Sequence, residues 1–207
     1  MSATIPIDTK EHILNVAERL YAKNGFAGTS LRSVIREADV NLSAVHYHFG
    51  SKEELFRAVI ARVAEPIVKG QLARLAECEA ENENPSVEEV LETFIAPPLE
   101  IVLNLGDRSI DCARFIGRCR SEPDSIRDIA EQEFKGSKKA FLDAMARSLP
   151  DFSRNELAWK LDLVITVLRR VMTEVGKPNA LIKDTTPEAI ANAVSKLVCF
   201  LAPGLHC

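Results

Sequence analysis

The sequence lacks the long apolar segments and ordered cysteines that define several protein classes. No run approaches the roughly 18 apolar residues of a membrane-spanning helix, and no basic segment followed by an apolar one opens the chain. We therefore expect neither a membrane span nor secretion, and the cytoplasm as the location. The five cysteines are odd in number and irregularly spaced, which excludes a disulfide framework and a C-x-x-C metal pair.

Signatures of the main enzyme classes are also missing. The chain has no H-E-x-x-H, no G-x-S-x-G and no phosphate-binding P-loop, and its histidines and acids are not clustered at metal-ligand spacing. His46 and His48 diverge by about 200° around a helix, so they do not form a metal pair. We therefore predict no enzymatic activity, no cofactor and no metal site.

An excess of basic charge is missing too, and this bears on nucleic-acid binding. The formal net charge is −4, so bulk attraction cannot hold the chain on DNA. Contact with a phosphate backbone needs a local cluster, for which Arg32, Arg36, Lys52 and helix N-termini are the candidates. Such binding is expected to depend strongly on salt and to be modest on random DNA.

The clearest pattern that is present lies in the segment 41–52, NLSAVHYHFGSK. Asn41 can cap a helix in which Leu42, Val45 and Phe49 share one face and dock on a core. The outward side chains are small, polar and aromatic, which suits a helix that enters the major groove of DNA. They are Ser43, Ala44, His46 and Tyr47. The alternative is an ordinary helical hairpin whose aromatic residues simply pack.

The residues before this segment favour DNA recognition. Ser30 can cap a helix whose apolar stripe includes Val34 and Ala38, and only residues 39–40 separate that helix from the next. Two short helices joined by so tight a turn form a helix-turn-helix unit.

Helical patterning continues along the rest of the chain. Prolines predict a kink at Pro66 and a break or bend at Pro97 and Pro98. We predict an all-α fold, with a three-helix helix-turn-helix domain at residues 1–52 and a helical ligand-binding and dimerisation domain at residues 53–207. Capping residues predict the starts of further helices; they are Asp8, Ser51, Ser86, Asp107 and Ser153, and a further helix is predicted to begin at Asp124.

Two segments near the chain end, 153–176 and 186–202, have apolar faces wider than one core needs. This width favours pairing with a second copy into a four-helix interface, and burial within the monomer is the alternative. A single short recognition helix contacts few base pairs, which also favours a symmetric dimer.

The middle segment, about residues 86–180, is where a small molecule would bind. Its side chains could line an apolar cavity with an arginine to meet an acidic head group, although the same residues would also build an ordinary core. The candidates are Phe94, Ile95, Leu99, Val102, Arg114, Phe115, Ile116, Arg118, Phe134, Phe141, Met145, Trp159 and Leu163.

The segment ADVNLSAVHYHFGSKEEL at residues 38–55, with TSLR before it at 29–32, resembles the N-terminal domain of the TetR family of bacterial transcriptional regulators. The resemblance covers about residues 8–64. It implies a homodimeric repressor that leaves a palindromic double-stranded DNA operator when a small apolar effector binds. Residues 40–52 and 200–205 look most like a fatty-acid-responsive subgroup, although the effector itself stays unknown.

The same resemblance implies which residues meet DNA. Phosphate contacts are implied for Ser30, Arg32, Tyr47, His48 and Lys52, and base contacts for Asn41, Ser43, Ala44 and His46. The sequence departs from the common family pattern in two places. His46 stands where an aromatic residue is usual, and Leu42 stands where a polar or basic residue is frequent.

Two other interpretations compete with a ligand-released repressor. One is a DNA-binding redox sensor that uses Cys112 or Cys119, in which an oxidant rather than a ligand changes the affinity for DNA. The other is an enzyme with an incidental helical hairpin, which the missing catalytic motifs disfavour.

Overall fold

The structure, a computed structural model, describes residues 9–207 apart from the side chain of Arg120. The predicted cap Asp8 lies outside the described residues. The all-α fold is confirmed, since residues 9–207 form helices and connecting turns without a strand. The helices are α1 (Thr9–Asn24), α2 (Leu31–Ala38), α3 (Leu42–Phe49), α4 (Lys52–Glu81), α5 (Val87–Glu100), α6 (Ser109–Arg118), α7 (Asp124–Ser148), α8 (Arg154–Glu174) and α9 (Pro187–Leu205).

Helices α2 and α3 form the expected helix-turn-helix unit, and local capping sets its geometry. The Ser30 hydroxyl accepts a hydrogen bond from the backbone N–H of Ser33 at 3.1 Å and so caps α2. Asp39, in the left-handed conformation with φ 51°, ends α2. The Asn41 side chain accepts from the N–H of Ala44 at 2.7 Å and begins α3 two residues later. The turn is therefore fixed by side chains that lie within it.

The structure corrects the sequence prediction at one apolar position of α3. Val45 and Phe49 are buried against α1, α2 and α4, but Leu42 is 54% exposed. Leu42 is the first residue of the helix, so its side chain lies at the edge of the unit and beyond the reach of the core. The buried apolar face of α3 therefore consists of Val45 and Phe49.

Helix α4 connects the helix-turn-helix unit with the rest of the chain. It has 30 residues and is about 45 Å long. It continues through Pro66, where a kink was expected. Pro66 has no N–H, so the carbonyl of Arg62 four residues earlier lacks its backbone donor. Because Pro66 is exposed, this carbonyl is on the side of the helix that water can reach.

Helix α5 also continues through its prolines, and the predicted break at Pro97 and Pro98 is wrong. Proline has no N–H, so Pro98 deprives the Phe94 carbonyl of its usual donor four residues later. Gln71 of α4 replaces that donor, because its Nε2 donates to the Phe94 carbonyl at 2.8 Å. A side chain from a neighbouring helix thus supplies the hydrogen-bond donor that Pro98 lacks.

The start of α6 differs from the expectation as well. Asp107 does not cap this helix; it lies in a 3₁₀ turn, Gly106–Arg108, that follows another at Ile101–Asn104. Helix α6 begins at Ser109 with no side-chain cap, and the Ser109 hydroxyl instead donates to the Val102 carbonyl. Two short turns therefore replace the simple capped start.

The helices that follow α4 surround a common apolar core. Helix α5 packs on α4 and α9, α7 packs on α4, and α8 packs on α6. The expected caps of α5 and α8 are confirmed, with reciprocal capping boxes at Ser86–Glu89 and Ser153–Glu156. Lys160 of α8 is buried, and its ammonium donates to the Leu205 carbonyl at the end of α9 at 3.0 Å.

Among the described residues, α9 is the one helix that is long and apolar enough to cross a membrane by length and composition, with a mean hydropathy of 1.3. Core helices can pass the same test. In the structure, α9 packs along α5 and buries Ile190, Val194 and Leu197 there. Its apolar character is thus partly explained by internal packing.

A buried carboxylate joins α1 to the helices beyond the helix-turn-helix unit. Glu18 of α1 is 1% exposed. Its Oε2 accepts from Arg62 of α4 at 2.6 Å and from Arg108, just before α6, at 2.7 Å. One acid therefore holds three segments together.

An aromatic cluster lies at the same junction. Tyr21 of α1 contacts Phe26, Phe56 and Phe115, with ring centroids 5.1 to 6.3 Å apart. These rings come from α1, the turn after it, α4 and α6. Packing at this junction is therefore continuous from α6 to the base of the helix-turn-helix unit.

Candidate nucleic-acid interface and ligand cavity

The exposed face of α3 carries the residues predicted to lie near DNA bases. Ser43 and His46 are exposed, Ala44 is half-buried, and Tyr47 is 86% exposed. Asn41 is exposed too, but its side-chain oxygen is used as the helix cap. A large aromatic ring left in solvent at the end of a short helix has no role in the core, and this points to a contact surface.

The residues predicted to contact phosphates border the same face. Arg32 is exposed on α2, and Ser30 is exposed although its hydroxyl caps that helix. His48 is half-buried, with its ring edge-on to Tyr47. Lys52 begins α4, and its ammonium lies 4.0 Å from the ring centroid of Phe26. The cation is thus held beside an N-terminal helix turn, where backbone amides also favour an anion.

A cavity of about 240 Å³ lies among α4, α5, α6, α7 and α8. Its buried wall is mostly apolar. The exposed lining residues, Glu131, Gln132, Lys135 and Lys138, all lie on α7, so the opening follows this helix. The remaining lining residues are Ile60, Ile67, Gln71, Phe94, Pro98, Ile116, Cys119, Ala130, Phe134, Ser137, Asp162, Ile165, Leu168, Arg169 and Met172.

The cavity includes three members of the predicted ligand set, Phe94, Ile116 and Phe134. Trp159 and Leu163 were expected to line it, but they are 63% and 47% exposed on the outer face of α8. The inward stripe of this helix contains Leu161 and Leu168 instead. Six other members of the set are buried in the core outside the cavity lining; they are Ile95, Leu99, Val102, Phe115, Phe141 and Met145.

The two arginines proposed for an acidic head group are also placed elsewhere. Arg114 donates to the Val175 carbonyl at 3.4 Å. Arg118 donates to the Lys23 carbonyl at the end of α1 at 3.2 Å. Their guanidinium groups therefore join helices and do not line the cavity.

Sequence reasoning missed the two buried polar residues of the cavity lining, Gln71 and Ser137. Both are buried, and the Ser137 hydroxyl donates to Gln71 Oε1 at 2.5 Å. A signal was present in α4, because Gln71 continues the buried spacing of Ile60 and Ile67 by one more turn. A polar residue on an apolar stripe marks a buried hydrogen bond or a site.

A second cavity, of about 390 Å³, lies where α4, α5 and α6 meet the 3₁₀ turns. Three arginines line it, but each has a carboxylate partner. Arg62 and Arg108 bind Glu18, and Arg74 binds Glu100 at 2.6 Å. Its arginines are therefore occupied by internal ion pairs.

The structure argues against thiol-based sensing. Cys112 and Cys119 are buried, and burial raises the pKa of each thiol from 9.0 to about 12. The thiolate, which is the form that reacts with oxidants, is therefore scarce at neutral pH. This removes the chemical basis of the redox-sensor interpretation for these two residues.

The tight turn between α2 and α3, together with the exposed polar and aromatic side chains of α3, defines the chain as a helix-turn-helix protein. Family comparison is consistent with this class. Residues 13–59 match the model described as bacterial regulatory proteins, tetR family, and residues 92–204 match the tetracyclin repressor-like C-terminal domain. The chain belongs to the TetR family, which consists of regulatory proteins and not of enzymes.

Curated relatives match over short segments. The regulator AcrR from Shigella flexneri is 38% identical over 52 residues, which are 25% of this chain and 24% of AcrR. The repressor AcnR from Corynebacterium efficiens is 31% identical over 77 residues, 37% of either chain. The matched segments thus span well under half of these relatives.

Solved structures share the whole fold at low sequence identity. The fatty acid degradation regulator FadR from Bacillus halodurans is 16% identical, with a TM-score of 0.65 over 98% of each chain. A tetR-family regulatory protein from Rhodococcus RHA1 is also 16% identical, with a TM-score of 0.64 over 94% of this chain and 97% of that one. At such identity the likeness concerns the fold alone.

Proposed function

We propose that the protein is a homodimeric transcriptional repressor of the cytoplasm, which binds a palindromic operator and is released by a small, mainly apolar ligand. The observation that carries this proposal is the exposed face of α3 with Ser43, His46 and Tyr47. A helix of this length fits the major groove, where small and polar side chains reach base edges. The exposed Arg32 of α2 and Lys52 at the start of α4 support contacts with phosphates.

A dimer is supported by the outer surfaces of α8 and α9. Trp159 and Leu163 of α8 are 63% and 47% exposed, and Phe200 of α9 is 73% exposed. Large apolar side chains are costly to leave in water, and a self-complementary interface would cover them. Two recognition helices would then read two half-sites related by the same two-fold axis.

Release by a ligand is supported by the position of the cavity. Its wall includes Ile60 and Ile67 of α4, the helix that begins with Lys52. It also includes Ile116 of α6, next to Phe115 in the aromatic cluster that reaches α1. A ligand that separates these walls would shift α4 and α6 together and change the spacing of the recognition helices.

The fatty-acid variant of this proposal, which the resemblance implies, needs a cation for the carboxylate. Arg114 and Arg118 donate to backbone carbonyls. Lys135 and Lys138 at the opening are the lysines that could take this role. FadR, a structural neighbour, is described as a fatty acid degradation regulator, and this is a property of that protein.

The proposal is tested by selecting binding sites from a random DNA pool and weighing the complex by analytical ultracentrifugation. We expect an enriched palindrome bound by one dimer. Phe200→Glu should shift the free protein toward monomer and weaken operator binding at least tenfold. Leu72→Glu is the matched control, since Leu72 is 38% exposed on α4, outside α8 and α9.

The absence of an enriched sequence would contradict the DNA-binding role. A Phe200→Glu protein that stays dimeric and binds the operator normally would contradict the proposed interface. Equal effects of Phe200→Glu and Leu72→Glu would show that a charge on any exposed apolar site disturbs the protein.

A further inference from the structure

The buried wall of the cavity contains a hydrogen-bonded pair of uncharged polar side chains. Gln71 of α4 is 3% exposed and Ser137 of α7 is 1% exposed. Both line the cavity, together with the ring of Phe94. The charged lining residues are Glu131, Lys135 and Lys138 at the opening and the half-buried Asp162 and Arg169 of α8, so no fully buried side chain of the lining is charged. The deep part of the cavity is therefore apolar except at this pair.

Part of the pair is explained by the fold. Gln71 supplies the donor that Pro98 withholds from the Phe94 carbonyl, and Ser137 supplies a donor to Gln71 Oε1. This uses one of the two amide hydrogens of Gln71 and the hydroxyl hydrogen of Ser137. The second amide hydrogen and the acceptor capacity of the Ser137 oxygen are not used by these bonds.

The chemistry of the remaining capacity is specific. One donor and one acceptor side by side match a hydroxyl group, or a carbonyl that accepts from the amide. A carboxylate buried at this pair would lose its hydration, and neither Gln71 nor Ser137 carries a positive charge to replace it. An alkyl group would leave the spare amide hydrogen without a partner.

We propose that Gln71 and Ser137 select an effector that carries an uncharged hydroxyl or carbonyl group on a compact apolar body. The cavity volume of about 240 Å³ is slightly below the usual range of small-molecule sites, roughly 300–1,000 Å³, which favours a short ligand. This inference rests on the proposed function, since it names the ligand class of the same regulatory cavity. It replaces the carboxylate head group by a neutral one.

The test compares 1-octanol with octanoate by isothermal titration calorimetry on the full-length protein. The wild type should bind 1-octanol at least tenfold more tightly than octanoate. Ser137→Ala should weaken 1-octanol binding about three- to tenfold, the usual effect of one hydrogen bond, and leave octanoate unchanged. Ser148→Ala is the matched control, because Ser148 lies on the same helix and binds the Pro85 carbonyl, away from the cavity lining.

A second variant guards against misfolding. Gln71→Leu alone would leave the Phe94 carbonyl without its donor, so we combine it with Pro98→Ala, which restores a backbone N–H four residues after Phe94. Gln71→Leu/Pro98→Ala should show the circular dichroism spectrum of the wild type. It should also lose the preference for 1-octanol.

Three results would overturn the proposal. Octanoate could bind more tightly than 1-octanol, both variants could keep the affinity of the wild type for 1-octanol, or neither probe could bind. Operator binding is measured in parallel, so that failure of the proposed ligand class can be distinguished from failure of the proposed regulatory function. A protein that binds its operator but neither probe refutes the ligand class alone. If the variants lose 1-octanol binding but no operator sequence is found, the ligand-selecting role of Gln71 and Ser137 is supported and the proposed regulatory function is refuted.

Discussion

Replacing Glu18 by glutamine should destabilise the protein strongly, although the change removes only one charge. Glu18 Oε2 lies 2.6 Å from Arg62 and 2.7 Å from Arg108, and its side chain is 1% exposed. The amide keeps the size of the side chain but presents one carbonyl oxygen to two guanidinium groups. Arg108 would then lose the carboxylate that it binds, and Arg62 would keep only that of the exposed Glu11.

The size of the effect follows from burial. Removing one partner of a buried ion pair costs about 3–5 kcal/mol, and water screens part of this cost here because Arg62 and Arg108 remain 18% and 34% exposed. A discounted cost of about 2–3 kcal/mol corresponds to a fall in Tm of roughly 4–12 °C for a chain of this length.

Differential scanning calorimetry of the wild type and Glu18→Gln at equal protein concentration measures this difference, since association would otherwise shift Tm. Glu11→Gln is the control. Glu11 binds the same Arg62 at 3.1 Å but is 54% exposed, so its loss should shift Tm by about 1 °C or less. A Glu18→Gln protein that melts within 1 °C of the wild type would refute the claim that this carboxylate holds the junction together.

Lys52→Ala should weaken binding to all DNA and lower the slope of log affinity against log salt by about 1, whereas an unchanged slope would exclude a phosphate contact. His46→Ala should relax discrimination at one base pair in competition with single-site operator variants, and equal losses on specific and random DNA would contradict a base contact. Iodoacetamide at pH 8 should label the exposed Cys199 and Cys207 well before Cys112 and Cys119, as mass spectrometry of digests would show. Because the folded pKa of Cys112 and Cys119 is raised from 9.0 to about 12, these thiols stabilise the fold below pH 9. Their contribution falls as the pH rises from 9 to 12, and urea titrations with a Cys112→Ala/Cys119→Ala comparison would measure it.

Features that depend on near neighbours in the chain were predictable from the sequence. The caps formed by Ser30, Asn41 and Ser153 use donors within three residues, so spacing alone reveals them. The helix-turn-helix unit follows from two such caps and one tight turn. The placement of its outward side chains on α3 follows from the same helical period.

Features that depend on another helix were not predictable in the same way. The rule that proline ends a helix failed at Pro98 because its cost is offset by Gln71, which is 27 positions away in the chain. Helical periodicity placed Trp159 and Leu163 near a cavity, but it does not say which face meets which neighbour. Of the predicted set, only Phe94, Ile116 and Phe134 line the cavity.

The length of α4 has a mechanical consequence. Gln71, in the cavity wall, and Lys52, at the first turn, are 19 positions apart on one uninterrupted helix, a distance of about 28 Å. A tilt of about 5° pivoting at the cavity would move the Lys52 end by about 2.5 Å, while a hydrogen bond tolerates a change of only about 0.5 Å. The helix would thus convert a small tilt at the cavity into a larger displacement at Lys52. A ligand that displaces the cavity wall by a fraction of an ångström has enough leverage to take a cation out of reach of a phosphate.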